Sequence, residues 1–201
     1  AGDAAWRSSL EVLGADETFA ETGAALASEN VTQFLTLSLD HPGSVVQCLN
    51  FARDNARAVR TSLSREAWSS INRAWLLFHG KQSPGDTQQT LTLVEQAEAQ
   101  TRGFEGAITR MLRNPSSLFM RLGAAVERAD NSARLLDVKY HLLLPEGELV
   151  GGVMDRDQWQ AILHTVSAVN AYRWLYSEGL KPERVIEMLI LRRELPRSLA
   201  A

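Results

Sequence analysis

The stretch VERADNSARLLD, residues 126–137, combines alanine and leucine with six charged or amide side chains. It belongs to a longer run, from Leu118 to Leu143, in which apolar residues recur every three or four positions. That spacing is typical of one face of an α-helix. Alternating runs of Val, Ile and Thr between Asn-Gly or Asp-Gly turns do not occur, so strands are not predicted. The stretch therefore predicts a long helix in an all-α protein.

Local signals predict where the other helices begin. Ser44 follows Pro42-Gly43 and is a good N-cap, and Asp86 or Thr87 caps the helix after the next loop. Pro182 stands at a favoured first helical position. With the short loops between them, the periodic segments predict a single helical bundle of about six to seven helices, forming one domain over residues 1–201.

The segment after the long helix predicts a glycine-containing loop and then one helix that continues to Leu175. Asp155 or Asp157 is the expected cap of this helix, and Gly179 is expected to end the segment. The chain has five tryptophans at helical spacings, which indicates core positions. They are Trp6, Trp68, Trp75, Trp159 and Trp174.

Composition limits the kinds of partner that we expect. The formal net charge is −3, so neither nucleic acid nor a charged membrane surface is a predicted partner. No apolar run approaches the roughly 18 residues that cross a bilayer, and no signal-peptide pattern occurs. The one cysteine, Cys48, cannot form an internal disulfide. These features predict a cytoplasmic protein.

Charged side chains of the long helix fall on two lines. Glu127, Asp130, Arg134 and Asp137 follow spacings of three, four and three, so they share one side of the helix. The side chains expected to face solvent on the opposite side are Arg121, Arg128, Ser132 and Lys139. A bundle helix normally shows one polar face to water. The first line is therefore expected to point toward other helices or into a cleft.

Three explanations of this inward line remain open. In the first, the line is a structural ladder of ion pairs, because Arg134 lies one turn from Asp130 and can pair with it. In the second, it is a polar cleft for a ligand or a reaction, with Glu127 as the candidate catalytic residue. In the third, it is a second solvent face. The complete polar cluster of the quoted stretch is Glu127, Arg128, Asp130, Asn131, Arg134 and Asp137.

A second charged surface is predicted in ARDNARAVR, residues 52–60. Arg53, Arg57 and Arg60 lie roughly along one side of a helix. Three arginines at this spacing can bind a phosphate or a carboxylate, although an exposed basic face is also expected at such a position. We also expect Arg53 and Arg57 to meet the carboxylates of the long helix.

Patterns that bind cofactors and metals are missing from the sequence. There is no glycine-rich phosphate loop and no pair of Glu-x-x-His motifs of the di-iron kind. The four histidines lie apart from one another. No cofactor and no metal are therefore predicted.

The stretch FMRLGAAVERADNSARLLDVKYHLLLP, residues 119–145, resembles the Alpha-E domain, a bacterial all-helical family named for its Glu-Arg motif. That motif corresponds here to Glu127-Arg128. Supporting similarity is found in residues 31–60, in EAWSSIN (66–72) and in ELPRSL (194–199). In this family the Glu-Arg helix usually occurs twice, the first time before the tryptophan seen here as Trp6. That copy is absent from this sequence, which is therefore expected to be a domain without its first Glu-Arg helix.

The resemblance implies a functional setting. Alpha-E domains accompany circularly permuted ATP-grasp carboxylate-amine ligases, sometimes as fusions, and also transglutaminase-like proteins and an N-terminal-nucleophile peptidase. The expected role is an accessory or binding domain in peptide synthesis or modification. Two alternatives stay open. One is an enzyme with Glu127 as acid or base and Arg134 or Arg53 holding a substrate carboxylate. The other is a purely structural docking partner of the ligase.

Overall fold

The structure, a computed structural model, describes residues 6–7, 9–11, 13–141 and 152–201, with the backbone alone at Tyr140 and His141. Its secondary structure in this part of the chain is helical, without strands, and eight helices have seven residues or more. From Asp16 onward, the α-helices in chain order are α1 (Asp16–Glu21), α2 (Ser28–Leu37), α3 (Val45–Ala58), α4 (Arg65–Phe78), α5 (Thr87–Arg110), α6 (Pro115–His141), α7 (Val153–Thr165), α8 (Val169–Leu175) and α9 (Pro182–Leu191), with a 3-10 turn, Arg60–Ser62, after α3. None of the helices in the described ranges has both the length and the apolar composition that crossing a bilayer requires. The all-α prediction is confirmed, and the predicted number of helices is approximately right.

The chain divides into two compact units, Ala1–Leu122 and Gly123–Ala201. The first unit contains α1 to α5 and the beginning of α6. Its core includes Phe19 and Phe34, whose rings meet edge to face with centroids 5.2 Å apart. Phe78 of α4 is 1% exposed and packs with Val46 and Leu93. Burying a side chain of this size stabilises the folded state by about 1.5–3 kcal/mol.

The second unit has its own core, which the remainder of α6 builds together with α7, α8 and α9. Leu136 of α6 packs in one cluster with Trp159 and Leu163 of α7 and with Met188 of α9. A hydrogen bond connects the C-terminal residues to α6. The hydroxyl of Ser132 donates to the backbone carbonyl of Arg197 at 2.8 Å.

The signals predicted at three helix starts, two caps and one proline, are confirmed. The Ser44 hydroxyl accepts the backbone N–H of Gln47 at the start of α3. Asp86 accepts the N–H of Gln89, whose side chain accepts the N–H of Asp86 in return, which completes a capping box before α5. Pro182 is the first residue of α9. These signals act over three or four residues, so they do not depend on the rest of the fold.

Three predictions for the segment after α6 are wrong. The expected single helix is interrupted at Ser167, which has a φ of 55°, and it forms α7 and α8 instead. Neither Asp155 nor Asp157 is a cap, because α7 begins at Val153 after Gly152 and contains both residues. Asp155 is buried in its first turn. Trp174 is 83% exposed rather than core. Residues 142–151, with most of the predicted glycine-containing loop, lie outside the described residues.

Candidate functional site

The three arginines predicted to bind an anion lie in the second half of α3 and in the 3-10 turn that follows it. Each of the two helices that position these side chains, α3 and α4, carries a buried alanine near them. Ala56 of α3 and Ala74 of α4 are 4% and 2% exposed. Arg53 lies about 60° around α3 from Ala56, and Trp75 lies about 100° around α4 from Ala74. The side chains of Arg53 and Trp75 face each other.

Arg53 is held in place by two side chains of α4. Its Nε donates a hydrogen bond to Asn72 Oδ1 at 3.0 Å. Its guanidinium carbon lies 3.9 Å from the centroid of the Trp75 ring. Stacking of this kind is worth about 0.5–1 kcal/mol at an exposed position. The Trp75 ring fixes the plane of the guanidinium group, and Asn72 fixes the position of Nε. The directions in which the two terminal nitrogens donate hydrogen bonds are therefore fixed as well.

The position of the Trp75 ring is fixed by a hydrogen bond at its edge and by stacking on its face. The indole N–H donates to Asn50 Oδ1 at 2.8 Å. The amide of Asn50 donates to Gln47 Oε1 at 2.9 Å, which orients its oxygen toward the indole. The ring of His79 stacks on Trp75 with centroids 3.8 Å apart. The tryptophan is therefore a rigid base for Arg53.

The arrangement is repeated further along the chain. Arg60 lies over the ring of Trp68, with its guanidinium carbon 5.1 Å from the centroid. Arg57 is exposed between the two stacked arginines. Within the described part of the chain, none of the three forms an ion pair with a carboxylate. We call Arg53, Arg57 and Arg60, with Trp68 and Trp75, the arginine surface.

An arginine without a carboxylate partner and with a fixed plane is suited to a planar anion. Its parallel N–H groups match the two oxygens of a carboxylate or of a phosphate. Stacking reduces the side-chain freedom that binding would otherwise remove. The prediction that these three residues bind an anion stays a prediction, and the geometry is compatible with it.

The polar line on α6 does not point inward, and this expectation is wrong. The side chains of Glu127, Asp130, Arg134 and Asp137 are exposed, as is that of Arg128 beside them. Asn131, the remaining member of the predicted cluster, is exposed as well. The cluster therefore belongs to the surface of α6, which favours the third explanation of the line, a solvent face.

One ion pair predicted in this line is present. Arg134 Nε lies 2.7 Å from Asp130 Oδ2, one helical turn away, with both side chains about half exposed at 52% and 50%. The hydrogen bond to Asp130 raises the pKa of Arg134, with smaller contributions from the charges of Asp130 and Glu127. An exposed pair of this kind contributes little to stability. The proposed pairing of these carboxylates with Arg53 and Arg57 stays a prediction.

In the second unit, two of the three side chains of α6 that were expected to face solvent are buried. Ser132 and Lys139 are each 3% exposed, and Leu136 between them is 7% exposed. Lys139 can face inward because its charge is compensated there. Its Nζ lies 2.6 Å from Asp155 Oδ1 and donates to Gln158 Oε1 at 2.8 Å. Arg128 is exposed, as predicted.

The buried polar cluster of Lys139, Asp155 and Gln158 was not predicted from the sequence pattern. Asp155 is also 3% exposed, and Lys139 Nζ lies 5.3 Å from the ring centroid of Trp159. A signal was available, because Asp155, Gln158 and Trp159 are spaced at three and four residues and share one face of α7. An acid on the same face as a buried tryptophan indicates a buried cation.

The acidic and histidine side chains of the described residues do not gather into a metal site. In that part of the chain there is no group of three or more His, Cys, Asp or Glu side chains that could hold a metal ion.

Apolar side chains at the start of α6 lie on the surface. Leu118, Phe119 and Leu122 are 55%, 72% and 57% exposed. The helical spacing places Leu118 and Leu122 on an apolar stripe of α6, and in the structure that end of the stripe is exposed.

The regular secondary structure of the described residues is entirely helical. The chain belongs to the Alpha-E family, described as a predicted alpha-helical domain with a conserved ER motif, whose family model matches residues 1–201. No curated protein and no solved structure matches the chain. The predicted family membership is thereby confirmed.

Proposed function

We propose that this chain is a binding domain of a bacterial, cytoplasmic peptide-modification system, and that its arginine surface holds a carboxylate-bearing segment of a peptide or protein. The observation that carries the proposal is the stacking of Arg53 on Trp75 without an acidic partner among the described residues. Guanidinium groups held in this way are prepared for bidentate hydrogen bonds to a carboxylate.

The family resemblance supports the chemical class of the ligand. Alpha-E domains accompany ATP-grasp ligases, which join a carboxylate to an amine, and transglutaminase-like proteins, which also act on peptides. A domain that captures a peptide carboxylate would serve such a partner without a catalytic residue of its own. In this proposal residues 1–201 form one domain, and the exposed polar cluster around Glu127-Arg128 is a further contact surface for the ligase.

The test uses tryptophan fluorescence, because an anion on Arg53 changes the environment of the indole beneath it. The probe is a peptide of three glutamates, and the matched control peptide has three glutamines. We expect the glutamate peptide to change the emission in a saturable way. Trp75→Phe should remove most of this change, which assigns it among the five tryptophans of the chain.

The residue-specific test compares two arginines of the first unit. Arg53→Gln should weaken binding of the glutamate peptide about tenfold, the effect of losing a charge-assisted hydrogen bond of roughly 1.5 kcal/mol. The control is Arg73→Gln, because Arg73 is exposed on α4 and lies about 160° around that helix from Trp75. Equal binding of both peptides, or equal effects of both substitutions, would contradict the proposal.

A second candidate function is docking on the ligase without peptide binding. The exposed side chains of Leu118, Phe119 and Leu122 favour it, because exposed apolar groups that cluster on one helix often mark a protein contact. Replacing Leu118 and Leu122 by glutamine should then abolish co-purification with the ligase while the glutamate peptide still binds. Loss of peptide binding in the same variant would instead show that these apolar side chains and the arginine surface form one binding site.

A further inference from the structure

The first unit contains a cavity of about 480 Å³ that the arginine surface does not use. Residues of four helices line it, and it is open to solvent on one side. Ala56 of α3 and Ile71 and Ala74 of α4 form buried parts of its wall, and Phe104 of α5 and Met120 of α6 complete it. The space exists because alanines occupy facing positions of α3 and α4, where larger side chains would fill the gap.

The lining contains no charged side chain. Its polar members are amides and hydroxyls, namely Asn55, Ser70, Gln100 and Thr101. The Thr101 hydroxyl donates to the backbone carbonyl of Glu98 at 2.8 Å. The side chains of Asn55, Ser70 and Gln100 make no hydrogen bond with any described residue. Asn55 is exposed, whereas Ser70 and Gln100 are half-buried, so two half-buried neutral polar groups without protein partners line an otherwise apolar space.

We propose that this cavity is a binding site for a small uncharged molecule with an apolar body and a hydrogen-bonding group such as an amide or ester carbonyl. Its volume falls in the range of about 300–1,000 Å³ that is usual for small-molecule sites. The apolar wall supplies the binding energy, and Asn55, Ser70 and Gln100 orient the polar group. An anionic ligand is disfavoured, because nothing in the lining compensates its charge.

Two matched fluorescent probes test this assignment. N-phenyl-1-naphthylamine is neutral, and 8-anilino-1-naphthalenesulfonate has the same aromatic skeleton with one sulfonate. We expect the neutral probe to bind at a ratio of one to one, and the sulfonate to bind the cavity at least tenfold more weakly. Binding of both probes to the cavity with equal affinity would overturn the proposal, as would the absence of saturable binding of the neutral probe.

Substitutions at exposed residues locate the bound probe without disturbing the core. Ala52 is exposed and lines the cavity, so Ala52→Trp should fill its opening and weaken binding of the neutral probe at least tenfold. Ala99→Trp is the control, because Ala99 is exposed on α5 and does not line the cavity. Val59→Arg, at a lining residue that is 47% exposed, provides a second blocking variant if Ala52→Trp does not fold.

This site is independent of the proposed carboxylate binding. Arg53→Gln should leave the affinity for the neutral probe unchanged, and Ala52→Trp should leave the affinity for the glutamate peptide unchanged. Unaltered binding of the neutral probe in both blocking variants would overturn the cavity assignment and leave the arginine surface unaffected.

Discussion

The ammonium group of Lys139 and the carboxylate of Asp155 lie 2.6 Å apart, and each side chain is 3% exposed. The pair joins α6 to α7 in the core of the second unit. A buried charge that loses its partner destabilises a protein strongly, whereas an apolar pair of similar volume is often tolerated. The two residues are therefore expected to depend on each other.

Lys139→Met should reduce the free energy of unfolding by about 3–5 kcal/mol, because the Asp155 carboxylate loses its compensating ammonium charge. The double variant Lys139→Met, Asp155→Leu should recover a large part of this loss. Urea denaturation of the wild type, both single variants and the double variant measures the coupling between them. Additive losses in the double variant would show that the two charges do not stabilise each other.

Glu127→Gln should leave the melting temperature unchanged at neutral pH, because the carboxylate is exposed and its removal leaves no buried charge unpaired. Asp130→Asn should behave in the same way despite its ion pair with Arg134. Thermal unfolding monitored by circular dichroism decides this. A lowered melting temperature for Glu127→Gln would show that this residue is a structural partner after all.

His41 should make the protein less stable as the pH falls below about 6.5. Its side chain is 5% exposed and stacks on Phe34, and burial lowers its pKa in the folded state. The unfolded chain therefore binds a proton at a pH where folded His41 remains neutral, so stability is fully present above the unfolded pKa and declines below it. His41→Gln should flatten the dependence of unfolding free energy on pH between about 7.5 and 5.5.

His164→Gln is the control for that measurement, because His164 is exposed and its removal should leave the dependence unchanged. An equally steep decline in wild type and His41→Gln would assign the dependence to other groups.

Gly106→Ala should stabilise the protein by about 0.5–1 kcal/mol, because Gly106 lies inside α5 and an added methyl group meets no atom within 4 Å. Gly103→Ala, in the same helix, should gain less. There the methyl group would lie 3.0 Å from the hydroxyl oxygen of Ser70, which would have to move. Chemical denaturation measures the free energy of unfolding of both variants. An equal increase at both positions would show that the Ser70 side chain moves without loss of stability.

The sequence predicted helix starts well because their signals are local. Ser44, Asp86 and Pro182 act on the residues of their own first turn, and each stands where the pattern predicted. The break at Ser167 had no such signal, since a serine with positive φ is held by its surroundings rather than by its own preference.

The direction in which α6 faces could not be inferred from its own residues. Two polar lines run along this helix, and the choice between them depends on Asp155, which lies on another helix. The same limit applies to the arginine surface. The spacing of Arg53, Arg57 and Arg60 was evident, whereas the tryptophans that fix two of them were interpreted as core.

The hydrogen bond from Ser132 to the carbonyl of Arg197 has a consequence for mutational tolerance. The acceptor belongs to the backbone, so every amino acid at position 197 supplies it, and the Arg197 side chain is exposed. The donor is a hydroxyl in a space that is 3% exposed, where a larger group does not fit and a smaller one leaves the carbonyl unpaired. A complete substitution library should therefore find position 197 permissive and position 132 restricted.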